Sequence, residues 1–139
     1  MDSTKVNVGC CIMVQDMPAM AAFYRDVLGL ETDWDGGDFA EVKTASGPVS
    51  FWLYSGSAFA RSFGARFDPP KGTRYGFEIA FWLPTYQDVD AEYARLSALG
   101  VKFPAGAPVT YPFGIRNFYV SDPEGNLIEI GSRNAQIHI

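Results

Sequence analysis

Two stretches with the same local signals, about 70 residues apart, constrain this chain more than any other feature. Each opens with an aspartate that suits a helix N-cap, Asp16 in the first and Asp88 in the second. Each ends at a glycine, Gly29 or Gly100, of the kind that adopts the left-handed position just past a helix. Between these signals, apolar residues recur at helical spacing: Met20, Phe23 and Val27, then Val89, Tyr93 and Leu96. The repeat predicts a duplicated module with one helix in each copy.

Strand candidates surround each predicted helix in the same way, one before it and three after it. In the first half they cover residues 6–14, 31–34, 39–44 and 49–54, and in the second half residues 75–83, 102–103, 116–120 and 127–130. Turn sequences rich in Gly, Pro, Asp and Asn separate them. We therefore predict an α+β fold in which residues 1–139 form one domain of two βαβββ modules, 5–55 and 74–132.

The segment that joins the two modules, residues 56–73, is long for a connection inside one domain. It is rich in Ser, Gly, Pro and Arg, with phenylalanines between them. Two interpretations are open, a lid over a pocket and a plain linker.

Charge and hydropathy exclude several classes of partner. The formal net charge is −5 at pH 7, whereas proteins that bind nucleic acids concentrate Lys and Arg. No apolar stretch approaches the length that spans a bilayer, and the N-terminus lacks the pattern of a signal peptide. The only two cysteines, Cys10 and Cys11, are adjacent and would point to opposite faces of a strand, so no disulfide is expected. We expect a cytoplasmic protein without a nucleic-acid or membrane partner.

Aromatic residues make up 15% of the chain, with Phe 11, Tyr 7 and Trp 3. This is more than a core of this size needs, so some of the rings are expected to line a cavity or an interface. For any one ring, a place in the core or in a dimer contact is an equally open interpretation.

Three motifs agree in order and spacing with one known family. They are FYRDVLGL at residues 23–30, DVDAEYARLSALGV at 88–101 and FYVSDPEGNLIEI at 118–130. With them the chain resembles the glyoxalase/bleomycin resistance/dioxygenase superfamily, also called the vicinal oxygen chelate superfamily. The resemblance implies two modules that enclose a pocket. We also expect a homodimer, because the half-barrels of a single chain leave apolar edges; pairing of the modules within one chain and pairing across the dimer are both open. The resemblance leaves activity open, because the family contains metal-dependent isomerases, epimerases, dioxygenases and thiol transferases as well as metal-free proteins that sequester drugs.

Metal-using members of the family carry ligands at four inward positions, on the first and last strand of each module. The residues that match these positions here are Gly9, Trp52, Glu78 and Glu129. Neither glycine nor tryptophan coordinates a metal, and two carboxylates are too few for a tight site. The one histidine, His138, lies next to the last residue. We therefore expect no metal site and no cofactor.

Strand alternation assigns residues to the pocket face or to the helix face. The predicted pocket face contains Gly9, Cys11, Met13, Ser50, Trp52, Tyr54, Glu78, Ala80, Trp82, Asn117, Tyr119, Leu127 and Glu129. The predicted helix face contains Ile12, Val14, Phe51, Leu53, Ile79, Phe81, Ile128 and Ile130. A slip of one residue in the fourth strand would put Phe51 in the pocket in place of Trp52.

These assignments leave two functional hypotheses. In the first, the protein binds an aromatic or cationic small molecule without a metal, with Trp52, Tyr54, Trp82, Tyr119, Cys11, Met13 and Asn117 as ligand-binding residues. In the second, it is a lyase, isomerase or dioxygenase in which Glu78 and Glu129 act as acid and base or as metal ligands.

Either glutamate also has a purely structural interpretation, because a carboxylate in apolar surroundings needs a partner. Glu129 would then bond to a pocket hydroxyl or to Arg116. For Cys11, an inert buried thiol is favoured over a nucleophile, because no base is predicted beside it.

Overall fold

In the computed structural model the chain forms two compact units, Met1–Pro69 and Pro70–Ile139. The structure describes residues 1–5, 10–45, 47, 49–63 and 78–133, with the backbone alone for 49, 50, 59, 60, 62 and 63. The predictions for residues 6–9, 64–77 and 134–139, which include Gly9 and His138, lie outside the described residues, as does the side chain of Ser50.

Unit 1 contains one mixed sheet in the order β1-β4-β3-β2. Its strands are β1 Cys11–Val14, β2 Glu31–Trp34, β3 Phe39–Lys43 and β4 Val49–Ser55. Its helices are α1 Met17–Ala22, which continues as a π-helix over Phe23–Val27, and α2 Gly56–Phe63. Strand β1 runs parallel to β4, and the other two pairs are antiparallel.

Unit 2 repeats this arrangement, with its sheet in the order β5-β8-β7-β6. Its elements are β5 Glu78–Trp82, α3 Tyr86–Ala98, β6 Val109–Thr110, β7 Arg116–Ser121 and β8 Leu127–Ser132. Strand β5 runs parallel to β8, and the remaining pairs are antiparallel. The α+β fold of two βαβββ modules is therefore confirmed.

The predicted N-cap residue is right for helix α1 and wrong for helix α3. Asp16 caps α1 as predicted, because its Oδ1 accepts a hydrogen bond from the N–H of Ala19 at 3.0 Å. Asp88, however, is not the cap of α3. Thr85 is the N-cap, and its side chain and that of Asp88 bond reciprocally to each other's backbone N–H. This capping box starts the helix two residues before the predicted cap.

Two helical features were not predicted. The π-helix contains a hydrogen bond from the N–H of Leu28 to the carbonyl of Phe23 at 3.0 Å. This turn has one residue more than an α-helical turn, and Tyr24 within it is fully buried. Helix α2 lies in the segment interpreted as a linker or lid, and the hydroxyl of Ser55 caps it by accepting the N–H of Ala58 at 3.2 Å. Within the described residues, no helix has the length and apolar character needed to cross a bilayer.

The predicted strand at residues 102–103 is wrong, since the next strand after α3 begins at Val109. Phe103 packs instead against Tyr93 of α3 and Phe118 of β7, with ring centroids 4.6 and 5.7 Å apart. Burial of its ring in this aromatic cluster outweighs the weak strand preference of a two-residue segment.

The core of each unit lies between the sheet and its helices. Six of the predicted helix-facing residues are buried: Ile12, Val14, Phe51, Leu53, Ile128 and Ile130. The other two, Ile79 and Phe81, are half-buried on the edge strand β5. Because Phe51 is buried, the alternative register that put it in the pocket in place of Trp52 is wrong.

Candidate functional site

A tight turn before β8 sets the direction of the strand that carries Glu129. The buried carboxylate of Asp122 accepts the N–H groups of Glu124 and Asn126, both at 2.9 Å. It also accepts the side-chain amide of Asn126 at 2.7 Å, and Gly125 takes a φ of 83°. These bonds fix the turn, so β8 begins in a defined register with Glu129 on the face away from α3.

The parallel pairing of β5 with β8 brings the two candidate acids together. Glu78 lies opposite Leu127, and Glu129 lies opposite Ala80, so the glutamates are diagonal neighbours on one face. The two carboxyl groups are close enough for Glu129 to raise the pKa of Glu78. Glu129 is buried, whereas Glu78 is exposed.

The neighbouring carboxyl group favours the protonated form of Glu78. Hydrogen bonding with Glu129 raises the pKa of Glu78, and burial and the charge of Glu129 raise it further. A carboxyl group that keeps its proton can donate to a neighbouring carboxylate, whereas an ionised carboxylate is an acceptor alone.

Asn117 and Tyr119 on β7 complete the network. The side-chain amide of Asn117 donates to Oε1 of Glu129 at 2.7 Å and to the hydroxyl of Tyr119 at 3.4 Å. Burial is the main cause of a raised pKa at Tyr119, followed by the charges of Glu129 and Glu78. The amide of Asn117 therefore fixes the direction of the Glu129 carboxyl group beside Glu78.

Arg116 is not a partner of Glu129, contrary to the structural interpretation considered from the sequence. Its guanidinium donates to Oδ1 of Asp90 at 2.7 and 2.9 Å and to the hydroxyl of Thr110 at 2.9 Å. On β7, Arg116 and Asn117 point to opposite faces, so only the asparagine reaches the glutamate.

Trp82 lies at the other end of the same face. It is 46% exposed, and the guanidinium carbon of Arg133 lies 4.6 Å from its ring centroid. Sequence reasoning missed Arg133 because it ended the last strand at residue 130, whereas β8 continues to Ser132. Continued alternation along the strand would have placed Arg133 on the face of Glu129.

In unit 1, the four candidate residues lie on the face opposite to the core. Cys11 is paired with Trp52, and Met13 with Tyr54. Sequence reasoning did not assign Phe39, although alternation along β3 was the available signal. Its ring lies 6.2 Å from that of Tyr54.

The thiol of Cys11 was expected to be buried, but the residue is exposed. Its sulfur is nevertheless partly covered, and this desolvation raises the pKa of Cys11, with a second contribution from Cys10. A raised pKa lowers the fraction of thiolate, so the structure offers no activation of a nucleophile here.

The structure therefore joins Glu129, Asn117 and Tyr119 by hydrogen bonds and places Glu78 beside Glu129, with Trp82 farther along the same face. It places Cys11, Met13, Trp52 and Tyr54 together on the sheet of unit 1. Ligand binding by these residues stays a prediction.

The sequence match supports the assignment that the motifs suggested. Residues 8–130 match the sequence profile of the glyoxalase/bleomycin resistance protein/dioxygenase superfamily. The chain belongs to this superfamily. The resemblance predicted from the sequence is confirmed at that level. Comparison with curated proteins gave no significant match.

Solved structures of the superfamily share the fold. A glyoxalase/bleomycin resistance protein/dioxygenase from Nocardioides is 24% identical, with 94% of this chain and 88% of that chain covered and a TM-score of 0.74. A lactoylglutathione lyase from Agrobacterium tumefaciens is 26% identical, with 92% and 93% covered and a TM-score of 0.70. A family enzyme from Burkholderia phytofirmans PsJN is 24% identical, with 88% and 94% covered and a TM-score of 0.71.

Within the described residues, the donor set does not fit the divalent metal of the metal-using superfamily members. Among residues 1–5, 10–45, 47, 49–63 and 78–133, no cluster of three or more His, Cys, Asp or Glu side chains is placed to hold an ion. At the matching positions, Trp52 has no ligand atom, so Glu78 and Glu129 would be the protein ligands and a metal would take the others from water.

Proposed function

We propose that this superfamily member binds a small aromatic or cationic molecule without a metal, with the carboxyl pair of Glu78 and Glu129 as its polar anchor. The observation that carries the proposal is the pair of neighbouring carboxyl groups, set on a face with the exposed Trp82 ring. The amide of Asn117 orients the carboxylate of Glu129 at 2.7 Å. A carboxylate beside an aromatic ring attracts a planar cation by both stacking and electrostatics.

The polar residues on this face fit binding better than coordination. Asn117 holds Oε1 of Glu129 in one direction, and the protonated Glu78 can donate or release its hydrogen to a ligand. A cation that approaches Glu129 would also favour ionisation of Glu78, which strengthens the attraction. Neither effect needs a metal, because the side chains of Asn117, Glu78 and Glu129 supply both.

The test combines metal analysis with a binding titration. We expect the purified protein to contain no stoichiometric metal by elemental analysis and, after treatment with a chelator, to bind planar aromatic cations such as proflavine, with quenching of Trp fluorescence. Glu129→Gln should weaken binding about tenfold, because a hydrogen bond or contact to a charged group contributes about 1.5–3 kcal/mol.

Glu92→Gln is the matched control, since it makes the same chemical change on α3, on the far side of the sheet, and should leave binding unchanged. One metal ion per chain, loss of binding after chelation, or no quenching by any planar cation would each refute the proposal.

A second candidate, a proton-transfer enzyme, is favoured by the raised pKa of Glu78, because a carboxyl group that favours its protonated form beside a second carboxyl group can supply an acid and a base on one face. The solved neighbour named lactoylglutathione lyase suggests the assay, turnover of lactoylglutathione followed by chromatography. Turnover that Glu78→Gln abolishes would support this candidate, and no turnover would leave binding as the function.

A further inference from the structure

We infer that Trp82 is the recognition surface for a guanidinium or amidinium group of the ligand, and that Arg133 occupies this surface in the ligand-free protein. The inference rests on the proposed function, because it names the chemical class of the cation that the face of unit 2 would take.

The position of the Trp82 ring is set by the backbone beside it. Trp82 on β5 is paired with Gly131 on β8. A Cβ at Gly131 would lie 3.3 Å from Cζ3 of Trp82, 3.1 Å from Cβ of Asn117 and 3.3 Å from the carbonyl oxygen of Arg116. The glycine therefore leaves the space in which the ring lies over β8, next to the residue that orients Glu129.

A planar cation, the guanidinium of Arg133, already lies over the Trp82 ring. The guanidinium carbon of Arg133 lies 4.6 Å from the ring centroid, inside the about 6 Å within which a cation over tryptophan is attracted. Among the ion pairs of the described residues, none includes Arg133. Since both Arg133 and Trp82 are exposed, a ligand cation can replace the side chain without loss of a buried ion pair.

The carboxyl pair lies within reach of a molecule bound on this ring. Glu129 is paired with Ala80, two residues before Trp82 on the same face of β5. Two residues of strand correspond to about 7 Å. A small ligand with a planar cation on Trp82 could therefore place a second polar group at Glu129, which suits a guanidinium or amidinium compound of more than one functional group.

Benzamidine and its neutral analogue benzamide test the inference. Binding would be followed through the indole N–H signal of Trp82 in NMR spectra and by fluorescence. If Arg133 competes for the ring, Arg133→Ala should bind benzamidine about two- to fivefold more tightly, the factor expected for removal of an exposed cation–π contact. Benzamide should show no such gain, because it lacks the charge.

Three variants make the result specific. Arg95→Ala removes the same charge from an exposed site on α3 and should leave the affinity unchanged. Trp82→Leu should abolish the tightening, and Trp82→Phe, which keeps an aromatic ring, should retain part of it. The phenylalanine variant keeps the test decisive if the leucine variant unfolds.

Equal or weaker benzamidine binding by Arg133→Ala would overturn the inference. Binding of benzoate by the wild-type protein that Arg133→Ala abolishes would also overturn it, and would make Arg133 a receptor for an anion. If proflavine binds and Glu129→Gln weakens it while Arg133→Ala has no effect on benzamidine, only the inference fails. If Arg133→Ala tightens benzamidine but Glu129→Gln changes nothing, the proposed anchor fails instead.

Discussion

Replacement of Asn117 by alanine should destabilise the protein, because it removes the donor that a buried carboxylate depends on. The amide of Asn117 lies 2.7 Å from Oε1 of Glu129, a distance typical of a charge-assisted hydrogen bond. Glu129 is only 6% exposed, so water replaces the lost donor poorly. A hydrogen bond to a charged group contributes about 1.5–3 kcal/mol, and we expect Asn117→Ala to lower the free energy of unfolding by about 2 kcal/mol.

The assay is a double-mutant cycle measured by urea denaturation at pH 7. In the background of Glu129→Gln the same Asn117→Ala change removes a neutral hydrogen bond, which contributes about 1 kcal/mol. The coupling free energy between the two positions should therefore be about 1 kcal/mol. Arg25→Ala is the control, because it removes an ion pair with Asp26 on the surface and should leave the midpoint unchanged.

Two results would refute this reasoning. A loss below about 0.5 kcal/mol for Asn117→Ala would mean that Glu129 keeps its solvation by another route. An equal loss in both backgrounds would mean that the side chain of Asn117 stabilises the sheet by packing and that the charge of Glu129 plays no part.

Two further predictions concern titration and capping. Because the pKa of Glu78 is raised in the folded state, its proton stabilises that state fully below the ordinary value of 4.5, and this contribution is lost as pH rises through the raised pKa. Urea denaturation across that range should show wild type losing stability relative to Glu78→Gln, and parallel curves would contradict the raised pKa of Glu78. Thr85→Ala should lower the free energy of unfolding by about 1 kcal/mol, since Thr85 caps α3. If instead Asp88→Ala carried the whole loss and Thr85→Ala were neutral, the assignment of the cap would be wrong.

Most of the fold could be predicted because its signals are local. Asp16 and Gly29 delimit the first helix by capping chemistry, and alternation of apolar residues marks the strands. One failure was local, because the capping box of Thr85 and Asp88 starts α3 before the predicted cap. Another came where tertiary packing decides the outcome. Phe103 joins an aromatic cluster with Tyr93, so the expected short strand does not form.

The side of the sheet on which each site residue lies could be predicted from the sequence, but the hydrogen-bond partners of these residues could not. Alternation placed Glu78 and Glu129 on one side of the sheet, and the parallel pairing confirms that they are neighbours. No sequence pattern could state that Asn117 bonds to Glu129 while Arg116 bonds to Asp90, because these contacts depend on side-chain geometry between separate elements. Arg133 was missed because strand ends are the least certain part of an alternation pattern.

The carboxyl pair spans the first and last strands of unit 2, so it exists only after the two ends of that module have met. Such long-range pairing forms late in folding, because the loss of chain entropy precedes the gain in contacts. A molecule that binds the pair recognises the completed sheet and not its unfolded chain. By mass action, such a ligand would stabilise the folded state and, with it, the pairing of β5 with β8.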